Sequence, residues 1–201
     1  PTTGTARYQE RVEGAAKDIP GYELVSSEKQ YINIDIEESE TATKNVKTFY
    51  YRESSVTIRY VAVTPDMGSV SIPAETIKAI SDTAEGSTPT AKANYKFVGW
   101  FKDAACTESV SSSWVNAETK ELTPQKEVIG QNDKGQDVLG YKAATYYAKF
   151  DLDVFDLTIT KKGTAAIDEN QSFIFEVTGP NGYHNTVIIQ GDHSVTIQDL
   201  T

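Results

Sequence analysis

Apolar residues in this chain alternate with polar ones far more often than they cluster. In the run from Gln30, Ile32, Ile34 and Ile36 fall on one side, which is the period-two pattern of a half-buried strand. Runs from Val56 to Val63 and from Tyr95 to Phe101 also read as strands, and so does the stretch opened by Gly68, Ser69 and Val70. The run from Glu75 to Ile80 fits either a strand or a short helix. Between residues 144 and 150, Ala144, Tyr146, Ala148 and Phe150 form an inward set, and Thr145, Tyr147 and Lys149 an outward one. The same alternation puts Phe49 and Tyr51 inward and Tyr50 outward. Residues 1–14 are polar and read as irregular. Beyond residue 155, four short runs separated by Gly, Pro and Asn turns suggest an incomplete β-sandwich.

One phrase occurs twice. Ala16 and Lys17, Gly21 to Val25 and Val46 to Arg52 form the first copy; Ala91 and Lys92, Asn94 to Val98 and Ala143 to Phe150 form the second. Each copy closes on a Thr followed by two adjacent aromatics, and a fresh β-run comes next. Such recurrence indicates related modules in series. The expected fold class is mainly β: tandem small β-modules, β-grasp-like repeats followed by a partial Ig-like sandwich. The modules are placed at residues 1–54, 55–151 and 155–201. The second carries an insertion over residues 102–141, expected to sit on the surface as a divergent loop.

The chain has 201 residues and a net charge of −10, from 29 acidic and 19 basic side chains. No basic stripe is available to displace counterions, so nucleic acid is disfavoured as a partner, as is an anionic membrane surface. No apolar run approaches the length of a spanning helix, and no membrane insertion is expected. The single cysteine, Cys106, excludes an intrachain disulfide framework. The first module reads as starting mid-way, as in a piece of a longer chain.

Several of these segments resemble modules of Gram-positive cell-surface proteins. Residues 19–25 with 45–51 resemble the second half of a mucin-binding-protein-type repeat. Residues 68–71, 95–101 and 144–150 resemble an internalin B-repeat, a β-grasp-like module. Residues 157–163 with 169–175 resemble the start of a collagen-adhesin B-type, pilin-like domain. Their order in one chain strengthens the likeness, which implies a secreted, wall-anchored adhesin or fimbrial protein.

The sharpest chemical candidate is Lys161. Alternation sets it with Leu157 and Ile159 on the core side, where an ammonium needs a partner. The resemblance implies a lysine that forms an isopeptide bond with an Asn on a later strand, helped by a buried acid; the alternative is a strand-end lysine snorkelling to solvent. Candidate ligand contacts are the outward Tyr50 and Tyr147, and Trp114 in its Ser-rich setting. Trp114 and Trp100 each fit a sugar-stacking platform or a core position.

Asp151, Asp153 and Asp156, or Asn132, Asp133 and Asp137, offer oxygen ligands to calcium or are solvated loop acids. His184, His193 and Cys106 lack the companions of a nucleophile or a metal site. No cofactor, metal or catalytic activity is expected. The chain reads as a structural or adhesive stalk segment on the cell surface, monomeric, touching host glycan or extracellular protein. The other readings are a specific carbohydrate- or mucin-binding module using Trp114 and residues 102–141, and an accessory domain of a secreted glycan-degrading enzyme.

Overall fold

The computed structural model describes residues 5–35, 45–163 and 167–200, and Ile36 lies outside them. The architecture is mainly β, built from many small sheets. The largest is a mixed four-stranded sheet of β5 (Ser55–Ala62), β7 (Ala74–Lys78), β9 (Tyr95–Phe101) and β12 (Ala144–Leu152), in the order β7-β5-β12-β9. Its two central strands, β5 and β12, are parallel, with Tyr146 opposite Tyr60 and Ala148 opposite Ala62. The run from Glu75 lies in β7, a strand and not a helix.

The inner face of this sheet holds the main core. Ile58, Tyr60, Trp100, Tyr146, Ala148 and Phe150 are all buried. Tyr60 packs edge-on against Trp100 and stacks on Tyr146, with ring centres 6.0 and 6.1 Å apart. Two polar tips find partners inside. Trp100 Nε1 donates to the Lys120 carbonyl at 2.9 Å, and the Tyr60 hydroxyl donates to Glu75 Oε1 at 2.6 Å. Phe150 lies so close to Gly68 that a Cβ there would sit 2.5 Å from its ring, so β6 (Gly68–Val70) needs glycine at that point. β6 pairs with β8 (Pro89–Ala91).

Residues 102–141 are not the surface loop that the sequence suggests. Val110, Leu122 and Tyr141 are buried members of the same core, and Leu122 is wholly inaccessible. Leu122 is fixed by a reciprocal backbone pair with Ser87, both bonds 2.9 Å. The end of the insertion forms the hairpin of β10 (Glu127–Gln131) and β11 (Asp137–Gly140). Its tip turns on Gly135 at φ +71°, with Asn132 Oδ1 accepting from the Lys134 and Gln136 amides.

The first segment holds two thin sheets. β1 (Arg11–Ala15) pairs with β3 (Lys29–Asn33), so part of the stretch expected to be irregular is a strand. Cross-strand contacts explain it: Arg11 lies 4.3 Å over the Tyr31 ring and Lys29 bonds Glu13 at 2.8 Å, while Val12 faces Ile32 on the other side. β2 (Tyr22–Leu24) pairs with β4 (Tyr51–Glu53). The closing strand is shorter than its alternation suggests, because residues 46–50 lie outside any ladder.

This segment is fastened to the next. Glu53 Oε1 accepts from the Ile80 and Ser81 amides, both at 2.6 Å, and the Ser54 carbonyl accepts from Ala79. The Ser81 bond, helped by that from Ile80, holds the Glu53 carboxyl below its ordinary range. Gly21, at φ +81°, lies under Ile80 and Ile129, and Pro20 packs on Gly130 of the β10–β11 hairpin.

The last segment consists of β13 (Phe155–Thr160) paired with β16 (Ser194–Leu200), and β14 (Ser172–Thr178) paired with β15 (His184–Gln190). Val187 and Ile189 are its buried apolar residues among those described. Single 3₁₀ turns occupy Ser112–Trp114 and Pro180–Gly182.

Candidate functional site

An open groove of about 580 Å³ lies on the first segment, between the start of β3 and residues 47–50. Its aromatic lining is Tyr50 and Tyr31, 65% and 44% exposed. Tyr50 is held at the backbone: its amide donates to Ser26 Oγ at 3.1 Å, and its carbonyl accepts from Val25 and Ser26. The ring is thus presented to solvent by a fixed main chain. Gln30 Nε2 donates to the Thr48 carbonyl at 2.9 Å and ties the two walls together.

Three cations border the rings. Arg11 covers one face of Tyr31 and Lys29 is paired with Glu13, while Lys47 makes no ion pair among the described residues. Hydrogen bonding from Lys29 lowers the Glu13 carboxyl, and hydrogen bonding to Glu13 raises the Tyr31 phenol. The arrangement offers apolar ring faces flanked by hydroxyl, amide and ammonium donors. That combination suits a polyhydroxylated ligand carrying negative charge.

The other sequence-singled residues are not gathered at this groove. Tyr147 is half-buried on the outer face of the four-stranded sheet, between Val61 and Phe101. Trp114 sits half-buried at the core margin, edge-on to Tyr146 at 6.3 Å, so one side of its ring is taken up by packing. Trp100 is a core residue, 3% exposed.

Lys161 does turn toward the interior of the last segment. Its side chain is 11% exposed, with Nζ 3.1 Å from Asp192 Oδ1 and 3.9 Å from the centre of the Phe173 ring. Asp192 also accepts from the Gly163 amide, which fixes the carboxylate. The ammonium therefore has both a carboxylate and an aromatic face as partners, and its ion-pair partner is an acid, not a carboxamide.

The acids at residues 151–156 serve local bonds: Asp153 pairs with Lys96 at 3.7 Å, and Asp156 accepts from the Asp199 amide. Among the described residues, no three His, Cys, Asp or Glu side chains converge as a metal site would require. Cys106 is half-buried, and burial pushes its thiol upward, away from the thiolate.

Alternation does not mark Tyr31, Lys47 or Glu53 as site residues. Tyr31 carried a usable signal, an aromatic at a polar position of an alternating strand. Glu53 carried none, because its amide partners lie 27 and 28 residues away. No family model matches the chain, and neither a curated protein nor a solved structure matches it significantly.

Proposed function

We propose that this chain is a structural and adhesive stalk segment of a secreted, wall-anchored bacterial surface protein, with modules at residues 1–54, 55–151 and 155–201. The observation that carries the reading is the order of strand pairing. Every ladder among the described strands joins partners within residues 11–53, 55–152 or 155–200, so small sheets follow one another along the chain. Serial closure of this kind is what an array requires. The short motifs that resemble surface-protein repeats fall in the same order. No helix among the described residues is long and apolar enough to cross a membrane.

Stretching single molecules tests the stalk reading. Stepwise unfolding in separate events is expected; one event for the whole length would overturn serial modules. A second reading, a carbohydrate-binding module, is favoured by the Tyr50 groove. It places binding on the first segment, away from Trp114 and residues 102–141. Titration with neutral and acidic oligosaccharides tests it: binding lost in Tyr50→Ala and retained in Trp114→Phe supports the groove. Binding lost only in the Trp114 variant would move the site back to the insertion.

The resembled lysine chemistry gives a further test on the same reading. An intact-mass measurement of this chain should equal its sequence mass, since Lys161 and Asp192 stand as an ammonium–carboxylate ion pair; a bond between them would make the chain one water lighter. A chain one ammonia lighter would place a carboxamide partner there instead.

A further inference from the structure

Two surface features have no role in the groove or the lysine pocket. On the outer face of the four-stranded sheet, Val61, Tyr147 and Phe101 form one cross-strand row. Arg59 and Thr145 form the row on one side of it; Val63 and Lys149 lie on the other. Val61 and Val63 are each 38% exposed, and nearby Val98 is 47% exposed. Neither Arg59 nor Lys149 makes an ion pair among the described residues. The face thus reads as an apolar row bracketed by uncompensated cations, on a chain whose net charge is −10.

The second feature lies on the hairpin of β14 and β15. Ile174 and Ile188 stand directly opposite each other and are 69% and 60% exposed, the outward counterparts of the buried Val187 and Ile189. Glu176 occupies the next outward position along β14 and makes no ion pair among the described residues. Asp168 and Glu169 are exposed in the turn that leads into the strand. Here an apolar pair is bracketed by acids.

We propose that the β14–β15 hairpin of one copy docks on the outer face of the β5–β12–β9 sheet of another. Each patch supplies what the other lacks: Ile174 and Ile188 cover the Val61 and Tyr147 row, while Glu176 and the acidic turn meet Arg59 and Lys149. Copies of so acidic a chain repel one another elsewhere, so the basic face is the place where contact relieves charge instead of adding to it. The contact joins two different patches. It therefore runs head to tail, unlike a two-fold dimer, and extends as an open series where the rotation between copies does not close a ring.

Sedimentation velocity of the 201-residue chain over a range of concentrations tests this, at low and at high salt. The sedimentation coefficient should climb with concentration without settling at a closed dimer, and salt should weaken the effect. Reversing the face (Arg59→Glu with Lys149→Glu) or the hairpin (Glu169→Lys with Glu176→Lys) should weaken association about tenfold or more. Mixing the two reversed chains should restore it, because each then offers the other a matching patch. All these positions except the half-buried Lys149 are exposed; circular dichroism checks that each variant stays folded. A chain monomeric at every concentration, a closed dimer, or association indifferent to charge reversal would overturn the proposal. So would a monomeric chain whose sheet face binds polyglutamate, which would assign the face to a foreign acidic partner.

Discussion

Phe49, Tyr50 and Tyr51 repeat the pattern of Tyr146, Tyr147 and Ala148, yet the two copies sit in different surroundings. The second copy runs through β12 with a partner on each side, β5 and β9, and its inward side chains are buried. The first has a ladder only from Tyr51 onward, on one edge, and its Phe49 ring is half-buried over Gly14. Local alternation decides which side a residue takes. The number of neighbouring strands decides how much that side buries.

Truncation tests this difference most strongly. Tyr146→Ala should cost about 3–5 kcal/mol, whereas Phe49→Ala should cost roughly 1–2 kcal/mol because its ring is already partly solvated. Urea unfolding followed by tryptophan fluorescence measures the first; circular dichroism follows the second. Equal costs would mean that the first copy shares a core with the second.

Alkaline titration comes next. Burial first, and the charge of Glu127 second, raise Tyr146 from 10.0 to about 12. Burial, then the Glu75 hydrogen bond, raise Tyr60 further still. A phenol raised in the folded state contributes its full stability below pH 10 and loses it as pH climbs toward the folded value. Tyr146 alone should forfeit roughly 2 kcal/mol by pH 12. Tyr146→Phe should flatten that limb of the stability curve.

Glu53 predicts the opposite limb. Its carboxyl is depressed from 4.5, so its contribution is present above that value and is lost as pH falls through the folded one. Proteolysis between the first and second segments should therefore quicken as pH falls below 4.5 and through the folded value. In Glu53→Gln it should be fast at neutral pH already. Smallest of all, Tyr50→Ala should shift stability by less than about 0.5 kcal/mol while removing the saccharide binding proposed for the groove.

Much of the strand pattern was open to reading because period two survives any tertiary context. Ile32 and Ile34, the inward residues from Ala144 to Phe150, and the interior direction of Lys161 all follow from it. Pairings between distant positions do not follow. β1 carries a single large apolar side chain, Val12, and becomes a strand only through its partners across the ladder, Tyr31 and Lys29 among them. Leu122 stands alone between Glu121 and Thr123, so no periodicity marks it as a fully buried core residue. The groove was half legible. Tyr50 followed from alternation, but its companion wall comes from a strand some twenty residues earlier.

The parallel pairing of β5 with β12 also sets the order in which the molecule can assemble. Ile58 meets Ala144 only after the whole intervening stretch has been made, and loop closure over that span is slow. Until β12 arrives, β5 can pair with β7, but β9 has no partner in the sheet and Tyr60 and Trp100 lack the wall that Tyr146 provides. Completion of the middle of the chain is thus a single late event, triggered by one strand. A chain interrupted before residue 144 would carry an aromatic face open to whatever it meets first.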